Sequence, residues 1–99
     1  MSEADKIKND PTFRLTKEGK VYRRGKKKYV NLDVYDGEFL DGMRHGNGTL
    51  NKYSGDVYTG EFENGKPHGI GTMTTKDAQI WFGEWRHGKP YGKAYDELR

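Results

Sequence analysis

A 23-residue unit recurs three times without a gap, and it constrains the fold of this chain more than any other feature. Its clearest block occupies residues 34–39, 57–62 and 80–85, where an aromatic residue, a glycine, a glutamate and a second aromatic residue share the same columns. A period of this size predicts stacked supersecondary units that each contact only their neighbours. The chain is therefore expected to be a repeat array rather than a conventional globular domain.

Each unit is predicted to be a β-hairpin. In the second unit Tyr58, Gly60 and Phe62 alternate with polar or β-branched residues, which is the period-2 pattern of a strand with two different faces. The Asn64-Gly65 pair that follows is a turn signal, and a second alternating stretch comes after it. The pattern predicts an all-β protein of successive hairpins.

The apolar residues of this chain are unusual in kind. Hydrophobic residues make up only 31% of the 99 residues, whereas aromatic residues alone make up 13%, so the repeated rings are expected to form the core. Glycines between them would let the rings lie flat over the sheet. Two ladders are predicted, one of Tyr35, Tyr58 and Trp81 and one of Phe39, Phe62 and Trp85.

The same six rings are also the predicted protein-binding residues, at the point where the groove of the array opens. Aromatic residues dominate the energetics of protein interfaces, so exposed members of the ladders would act as anchors. Internal packing is the alternative for each ring, and the sequence leaves the division between the two roles open.

Two sets of polar residues recur in register and raise the question of catalysis or metal binding. They are the glutamates Glu38, Glu61 and Glu84 and the histidines His45 and His68. Because equivalent positions of successive two-stranded units lie about 10 Å apart, no two members of a set could share a proton or a metal ion. His87 stands elsewhere, beside a turn glycine. We therefore predict no catalytic, cofactor-binding or metal-binding residue and no enzyme.

The two ends of the chain differ in charge. Residues 1–28 carry ten Lys or Arg and four Asp or Glu, a net charge of +6, whereas residues 29–99 carry eight and eleven, a net charge of −3. Residues 1–28 are predicted to be a basic N-terminal arm, and either a site for anionic partners or a solubilising segment would explain it. The predicted anion-binding residues are Arg23, Arg24, Lys26, Lys27 and Lys28.

A degenerate half-repeat is predicted within this arm. Gly19 and Gly25 align with Gly42 and Gly48 of the first full unit, but the aromatic-glycine strand is missing upstream of them. Terminal units of repeat arrays are often atypical because they face solvent or a partner. Residues 12–25 are therefore interpreted as a capping half-repeat.

The pattern Tyr-x-Gly-Glu-Phe-x-x-Gly-x-x-His-Gly-x-Gly resembles the MORN repeat, at residues 35–48 and 58–71. The third copy departs from it with Trp81, Tyr91 and Ala94. The resemblance implies a repeat domain over residues 29–99, with units near 35–57, 58–80 and 81–99. It also implies a single elongated antiparallel meander of stacked hairpins, used for assembly rather than catalysis.

The function predicted on this basis is a non-catalytic scaffold or adaptor subunit of a larger cytoplasmic or cytoskeletal complex, with axonemal complexes among those the resemblance implies. Its partners would be proteins, including further copies paired through open strand edges. The alternative is a peripheral membrane adaptor that binds anionic phospholipids through the basic arm. Nucleic acid is disfavoured because the repeats are acidic. No cofactor is predicted.

The expected location is cytoplasmic, with the cytoskeleton or a cilium as possible sites of association. The N-terminus has no apolar stretch typical of a signal peptide, and no run is long enough to cross a bilayer. For the C-terminal segment, residues 93–99, the sequence leaves open whether it completes the last strand or forms a short helix.

Overall fold

One antiparallel sheet makes up the computed structural model, which describes residues 13–91 and the backbone of residues 95 and 96. Its nine strands follow chain order from β1 to β8, and β9 also pairs with β7. They are β1 (Phe13–Leu15), β2 (Val21–Lys28), β3 (Val34–Leu40), β4 (Met43–Asn51), β5 (Val57–Glu63), β6 (Lys66–Thr74), β7 (Ile80–Arg86), β8 (Lys89–Pro90) and β9 (Tyr95–Asp96). The predicted all-β meander of hairpins is confirmed.

The molecule is elongated, with extents of 54 × 27 × 18 Å. In the part of the chain that the structure describes, no helix is long and apolar enough to cross a membrane. At the C-terminus the backbone of residues 95 and 96 is a strand, which favours the strand alternative there. Residues 92–94 and 97–99 lie outside the described residues.

Two kinds of connection join the strands. Within each full hairpin the turn is a two-residue pair in which both residues have positive φ, as at Asn64 (52°) and Gly65 (83°), which is the type I′ geometry that matches the twist of the strands. Between hairpins the loops have five residues and are closed by a backbone hydrogen bond, such as Lys52 N to Asp56 O at 2.9 Å. The turn signals of the sequence therefore specified the hairpins correctly.

The predicted arm is part of the sheet over residues 13–28. Strand β2 pairs with β3 from Tyr22 to Lys28, with Gly25 opposite Gly37. That pairing matches Gly48 opposite Gly60 in the next unit, so the alignment of Gly25 with Gly48 is confirmed. The boundary predicted at residue 28 does not separate an arm from the sheet, because β2 contributes a full strand to it. Residues 1–12 lie outside the described residues.

The alignment of Gly19 with Gly42 is wrong in its local geometry. Gly19 lies in a five-residue loop between β1 and β2, where Thr16 N donates to Lys20 O at 2.8 Å. Gly42 instead belongs to a two-residue turn. The two glycines share an end of the sheet, but the first hairpin is closed by the longer type of loop.

A row of glycines crosses six strands of the sheet. The register places them directly opposite one another, in the order Gly25, Gly37, Gly48, Gly60, Gly71 and Gly83. A Cβ atom added at Gly48 would collide with the ring of Tyr35, and one added at Gly71 with the ring of Tyr58. The prediction that glycines let rings lie flat over the sheet is confirmed.

Five of the six rings of the two predicted ladders, all except Trp81, form one interleaved chain. Tyr35 lies edge-to-face with Phe39 of its own unit, at 4.9 Å between ring centroids, and with Phe62 of the next unit at 5.1 Å. Tyr58 repeats this with Phe62 at 5.0 Å and with Trp85 at 5.4 Å. Separate ladders were wrong because a tyrosine that crosses its neighbouring strand reaches the phenylalanine column of the following hairpin.

Successive hairpins are also linked at both ends of their strands. At the turn end, Gly65 N donates to Arg44 O at 3.0 Å and Gly88 N donates to Pro67 O at 3.0 Å. At the loop end, the carboxylate of Asp56 accepts a 3.0 Å bond from Lys76 N, and Asp33 accepts one from Tyr53 N in the same way. These links fix the orientation of each unit on the next.

Candidate functional site

The sheet has an inner face, which carries the chain of rings, and an outer face. No second layer covers the inner face in the described residues, yet five of the six predicted binding rings are at most 3% exposed: Tyr35, Phe39, Tyr58, Phe62 and Trp85. They pack against one another, against Leu50 and against the partly buried Tyr29 and Met73, so they are internal packing. Trp81 is only partly buried against this cluster and keeps accessible surface.

The repeated glutamates have a structural role in the first two units. Each of the first two full hairpins contains a bulge, and the carboxylate of Glu61 accepts a 2.7 Å bond from the backbone N–H of Ile70 within the second one. Glu38 does the same for Asn47 at 2.6 Å. The carboxylates therefore satisfy bulge donors that have no strand partner.

The electrostatics of Glu38 follow from this position. Burial alone would raise the pKa of the Glu38 carboxyl, but hydrogen bonds from Asn47 and from the Tyr22 hydroxyl, together with the charge of Arg24, lower it below its ordinary value. The 2.8 Å bond to Glu38 in turn raises the pKa of the Tyr22 phenol. The ionised carboxylate is the form that the fold stabilises.

The five predicted anion-binding residues do not form one patch. Because successive residues of a strand point to opposite faces, Arg23 and Lys27 lie on the inner face, opposite Phe39 and Tyr35, and the remaining three lie on the outer face. Two of those three, Arg24 and Lys26, stand opposite Glu38 and Asp36 in the register. The sequence run therefore does not become a continuous basic surface.

Arg23 is a packing residue as much as a charge. Its guanidinium carbon lies 5.3 Å from the ring centroids of both Phe13 and Phe39. Its Nε is buried and has no hydrogen-bond partner among the described residues. Through these contacts the Arg23 side chain covers Phe39, the first ring of the core.

His87 lies in the two-residue turn beside Gly88, as expected, and it also contacts a second histidine. The ring of His87 lies 5.6 Å from the ring of His68, because the turns of successive hairpins lie side by side. His68 Nε2 is also 3.1 Å from a carboxylate oxygen of Glu63. The sequence did not indicate the contact between His68 and His87. No group of three or more metal-binding side chains is positioned to hold an ion within the described residues.

The outer face changes character along the array. Where the second unit meets the third, Ile70 on β6 and Phe82 on β7 are 53% and 44% exposed and occupy diagonal positions of the register. The equivalent residues one repeat earlier, Asn47 on β4 and Thr59 on β5, are polar. An exposed apolar pair in place of a polar one is a candidate contact surface. Comparing the units position by position would have found it in the sequence.

A cavity of about 330 Å³ on the inner face is the second candidate. It lies where the loop between β2 and β3 approaches the turns of the first two full hairpins, and Tyr29, Asp33, Met43, Arg44 and Gly65 line it. The guanidinium carbon of Arg44 lies 5.1 Å from the Tyr29 ring centroid. No pattern in the sequence indicates this contact, because the two residues belong to different units.

Comparison with known families agrees with the hairpin boundaries. A family model described as MORN repeat matches the chain in three adjacent segments, residues 35–57, 58–77 and 81–93. Each segment begins one residue after the start of β3, β5 or β7, and together they span more than half of the chain. A comparison with curated proteins finds no match.

Proposed function

The chain belongs to the MORN repeat family, and we propose that it is a non-catalytic adaptor that holds a protein partner within a larger assembly. Repeats of this family are consistent with a binding role. A single-layer sheet offers much surface for its size, and repeat arrays use such extended surfaces for recognition. The setting we propose is a cytoplasmic or cytoskeletal complex, and the cysteine-free composition is compatible with a reducing compartment.

The exposed pair Ile70 and Phe82 is the observation that carries this proposal. Both side chains stand on the outer face, where the equivalent residues of other units are polar, so repeat folding alone does not explain them. Burying such a pair against a partner would remove apolar surface from water, at about 25 cal/mol for each Å². A protein surface with a matching apolar patch is the partner that this face fits.

The basic strand supports the phospholipid alternative less well. A membrane surface needs several cations on one side, each contributing about 1 kcal/mol near an anionic leaflet. Here the cluster is divided between the two faces, and Arg24 and Lys26 stand opposite carboxylates. We therefore favour a protein partner.

A double variant tests the proposal. Ile70→Asn with Phe82→Thr installs the residues found at the equivalent positions of other units. Val30→Asn with Tyr53→Thr is the matched control, because these residues are also exposed, at 102% and 73%, but lie in loops. The measurement is affinity capture from lysate of the source cells, with quantitative identification of the retained proteins.

We expect the wild type and the loop control to retain the same partner, and the outer-face variant to lose it. Circular dichroism must show that both variants are folded, which we expect because exposed substitutions usually change the free energy of unfolding by less than about 1 kcal/mol. A folded outer-face variant that retains every partner of the wild type would refute the proposed surface.

A further inference from the structure

The inner-face cavity is built by residues that depart from the repeat. The positions equivalent to Tyr29 hold Lys52 and Thr75 in the following loops, and one position equivalent to Arg44 holds Pro67. No later unit therefore has both an aromatic ring and a guanidinium at these two positions. The cavity is therefore a specialised feature of the first unit, whereas the buried rings recur along the array.

Arg44 is held in a fixed orientation within this cavity. Its Nε and Nη2 donate to the carbonyl oxygen of Gly65, at 2.9 and 2.6 Å, across the junction to the next hairpin. Its guanidinium carbon lies between two rings, 5.1 Å from the Tyr29 centroid and 5.8 Å from that of Phe62. Because arginine has five N–H donors, donors remain for a ligand, and they are already oriented.

Arg44 makes no direct ion pair with another side chain among the described residues. Among the residues that the structure describes, no carboxylate oxygen lies within 4 Å of its guanidinium. Asp33 also lines the cavity, but its two carboxylate oxygens accept bonds from Tyr53 N and from Asn31 Nδ2. A second cation is close, since Lys27 Nζ lies 5.2 Å from the Tyr29 ring centroid.

Another arginine of the chain combines an aromatic contact with an ion pair. Arg86 also lies over a tyrosine ring, 3.8 Å from the centroid of Tyr91, but its Nε is 3.3 Å from a carboxylate oxygen of Glu84. Arg44 has the aromatic contact without the carboxylate. An anion bound to Arg44 would complete the arrangement that Arg86 forms with Tyr91 and Glu84.

We propose that this cavity receives the carboxylate of a glutamate or aspartate from an extended acidic segment of a protein partner. The carboxylate would accept paired hydrogen bonds from Arg44, the geometry that guanidinium favours. Apolar groups near the cavity favour a peptide over a small free anion: Met43 lines it and is 48% exposed, and Leu32 of the adjoining loop is 45% exposed. Side chains next to the acidic residue would pack there.

This site goes beyond the proposed adaptor function, because it lies on the other face of the sheet from Ile70 and Phe82. A partner could therefore use either surface without the other. Loss of binding through Arg44 would leave the outer-face result unchanged, so the failure of one proposal is distinguishable from the failure of the other.

The test begins with two displayed libraries of short random peptides, one with a fixed central glutamate and one with a fixed central glutamine, selected against the full chain. We expect enrichment from the glutamate library only. The best peptide is then titrated into the ¹⁵N-labelled protein, and the Arg44 side-chain Nε–H and the Gly65 amide are followed by NMR. Saturable shifts of both signals are expected.

Matched variants assign the binding to the cavity. Arg44→Gln should weaken the selected peptide by about tenfold or more, and Arg86→Gln, the control with a similar aromatic contact, should leave it unchanged. Lys27→Gln should weaken it about threefold without disturbing the Gly65 contact, and raising the salt concentration should weaken it further. Lys27→Gln keeps the test decisive if Arg44→Gln fails to fold.

Three results would overturn the proposal. The first is equal enrichment from both libraries. The second is an affinity that neither Arg44→Gln nor Lys27→Gln changes. The third is an equal shift of the Arg44 signal, at equal affinity, by inorganic phosphate alone, which would assign the cavity to a small anion instead of a protein segment.

Discussion

The ring of Tyr58 lies flat across Gly71 of the neighbouring strand, where its hydroxyl donates a 2.8 Å hydrogen bond to the carbonyl oxygen of Glu61. The same arrangement holds Tyr35 across Gly48, with a 2.7 Å bond to Glu38. Each tyrosine thus connects its own strand to the next one without a second layer. This contact explains why a chain with so few aliphatic residues can bury a core at all.

Gly71→Ala should destabilise the fold strongly. The added Cβ would meet the Tyr58 ring and not a movable chain end, so we expect the free energy of unfolding to fall by about 2 to 3 kcal/mol. Gly25→Ala, in the same row of glycines, meets only the end of the flexible Arg23 side chain and should cost less than about 1 kcal/mol. Urea unfolding of both variants measures this, and equal losses would contradict it.

Glu61→Ala should cost about 1 to 3 kcal/mol, because it removes a charged acceptor and leaves the Ile70 N–H of the bulge without a protein partner. Glu63→Ala is the control on the same strand, since Glu63 makes only an exposed pair with His68. Chemical unfolding compares the two. A larger loss for the control would show that the bulge donor is not what Glu61 stabilises.

The stability of the protein should fall in acid, partly through Glu38. Its folded pKa is lowered, so the contribution of its carboxylate is present above the ordinary value of 4.5 and is lost as pH falls through the folded value. Glu38→Gln cannot titrate, so its unfolding midpoint should depend less on pH below about pH 4.5. Parallel pH dependences of the two proteins would exclude this role for Glu38.

At high pH the two buried tyrosines should unfold the sheet. Burial raises the pKa of Tyr35 and of Tyr58 to about 12, so the neutral phenols stabilise the fold fully below the ordinary value of 10.0 and lose that contribution between about pH 10 and 12. Each contributes on the order of 2 kcal/mol. Phenolate absorbance and circular dichroism should change together in one transition. Ionisation of both phenols near pH 10 in a folded protein would argue against it.

Trp85→Phe should destabilise the fold although the equivalent positions of the other units hold phenylalanine. The indole Nε1 of Trp85 donates a buried 3.0 Å bond to Gly71 O, and phenylalanine would leave that carbonyl without this partner and the site underfilled. We expect a loss of about 1 to 3 kcal/mol in thermal or urea unfolding. An unchanged free energy of unfolding would show that the bond from Trp85 to Gly71 O does not stabilise the third unit.

Much of the fold was predictable from the printed sequence, because the informative residues act locally. The alternation around Tyr58 defines a strand, and the Asn64-Gly65 pair permits the positive φ values of a tight turn. Each of these signals occurs three times in register, so the hairpins and their order followed without any knowledge of long-range contacts. Only the first hairpin, whose loop holds Gly19, departed from the predicted turn geometry.

The candidate sites were less predictable, because they depend on how hairpins meet. The basic run of β2 is continuous in the sequence, but the alternation of a strand divides it between two faces. His68 and His87 come together because turns of neighbouring units are adjacent. In each case the sequence specified the residues but not their neighbours.

The sequence by itself determined the all-β hairpin array, its turns and its family, since these depend on short-range periodicity and backbone preference. Only the tertiary structure decided which rings are buried, with Tyr35 and Phe62 of different units in contact at 5.1 Å. It alone also brought Tyr29 to Arg44. The physical reason is that these distances depend on how far long side chains reach across neighbouring strands, which a period of 23 residues does not encode.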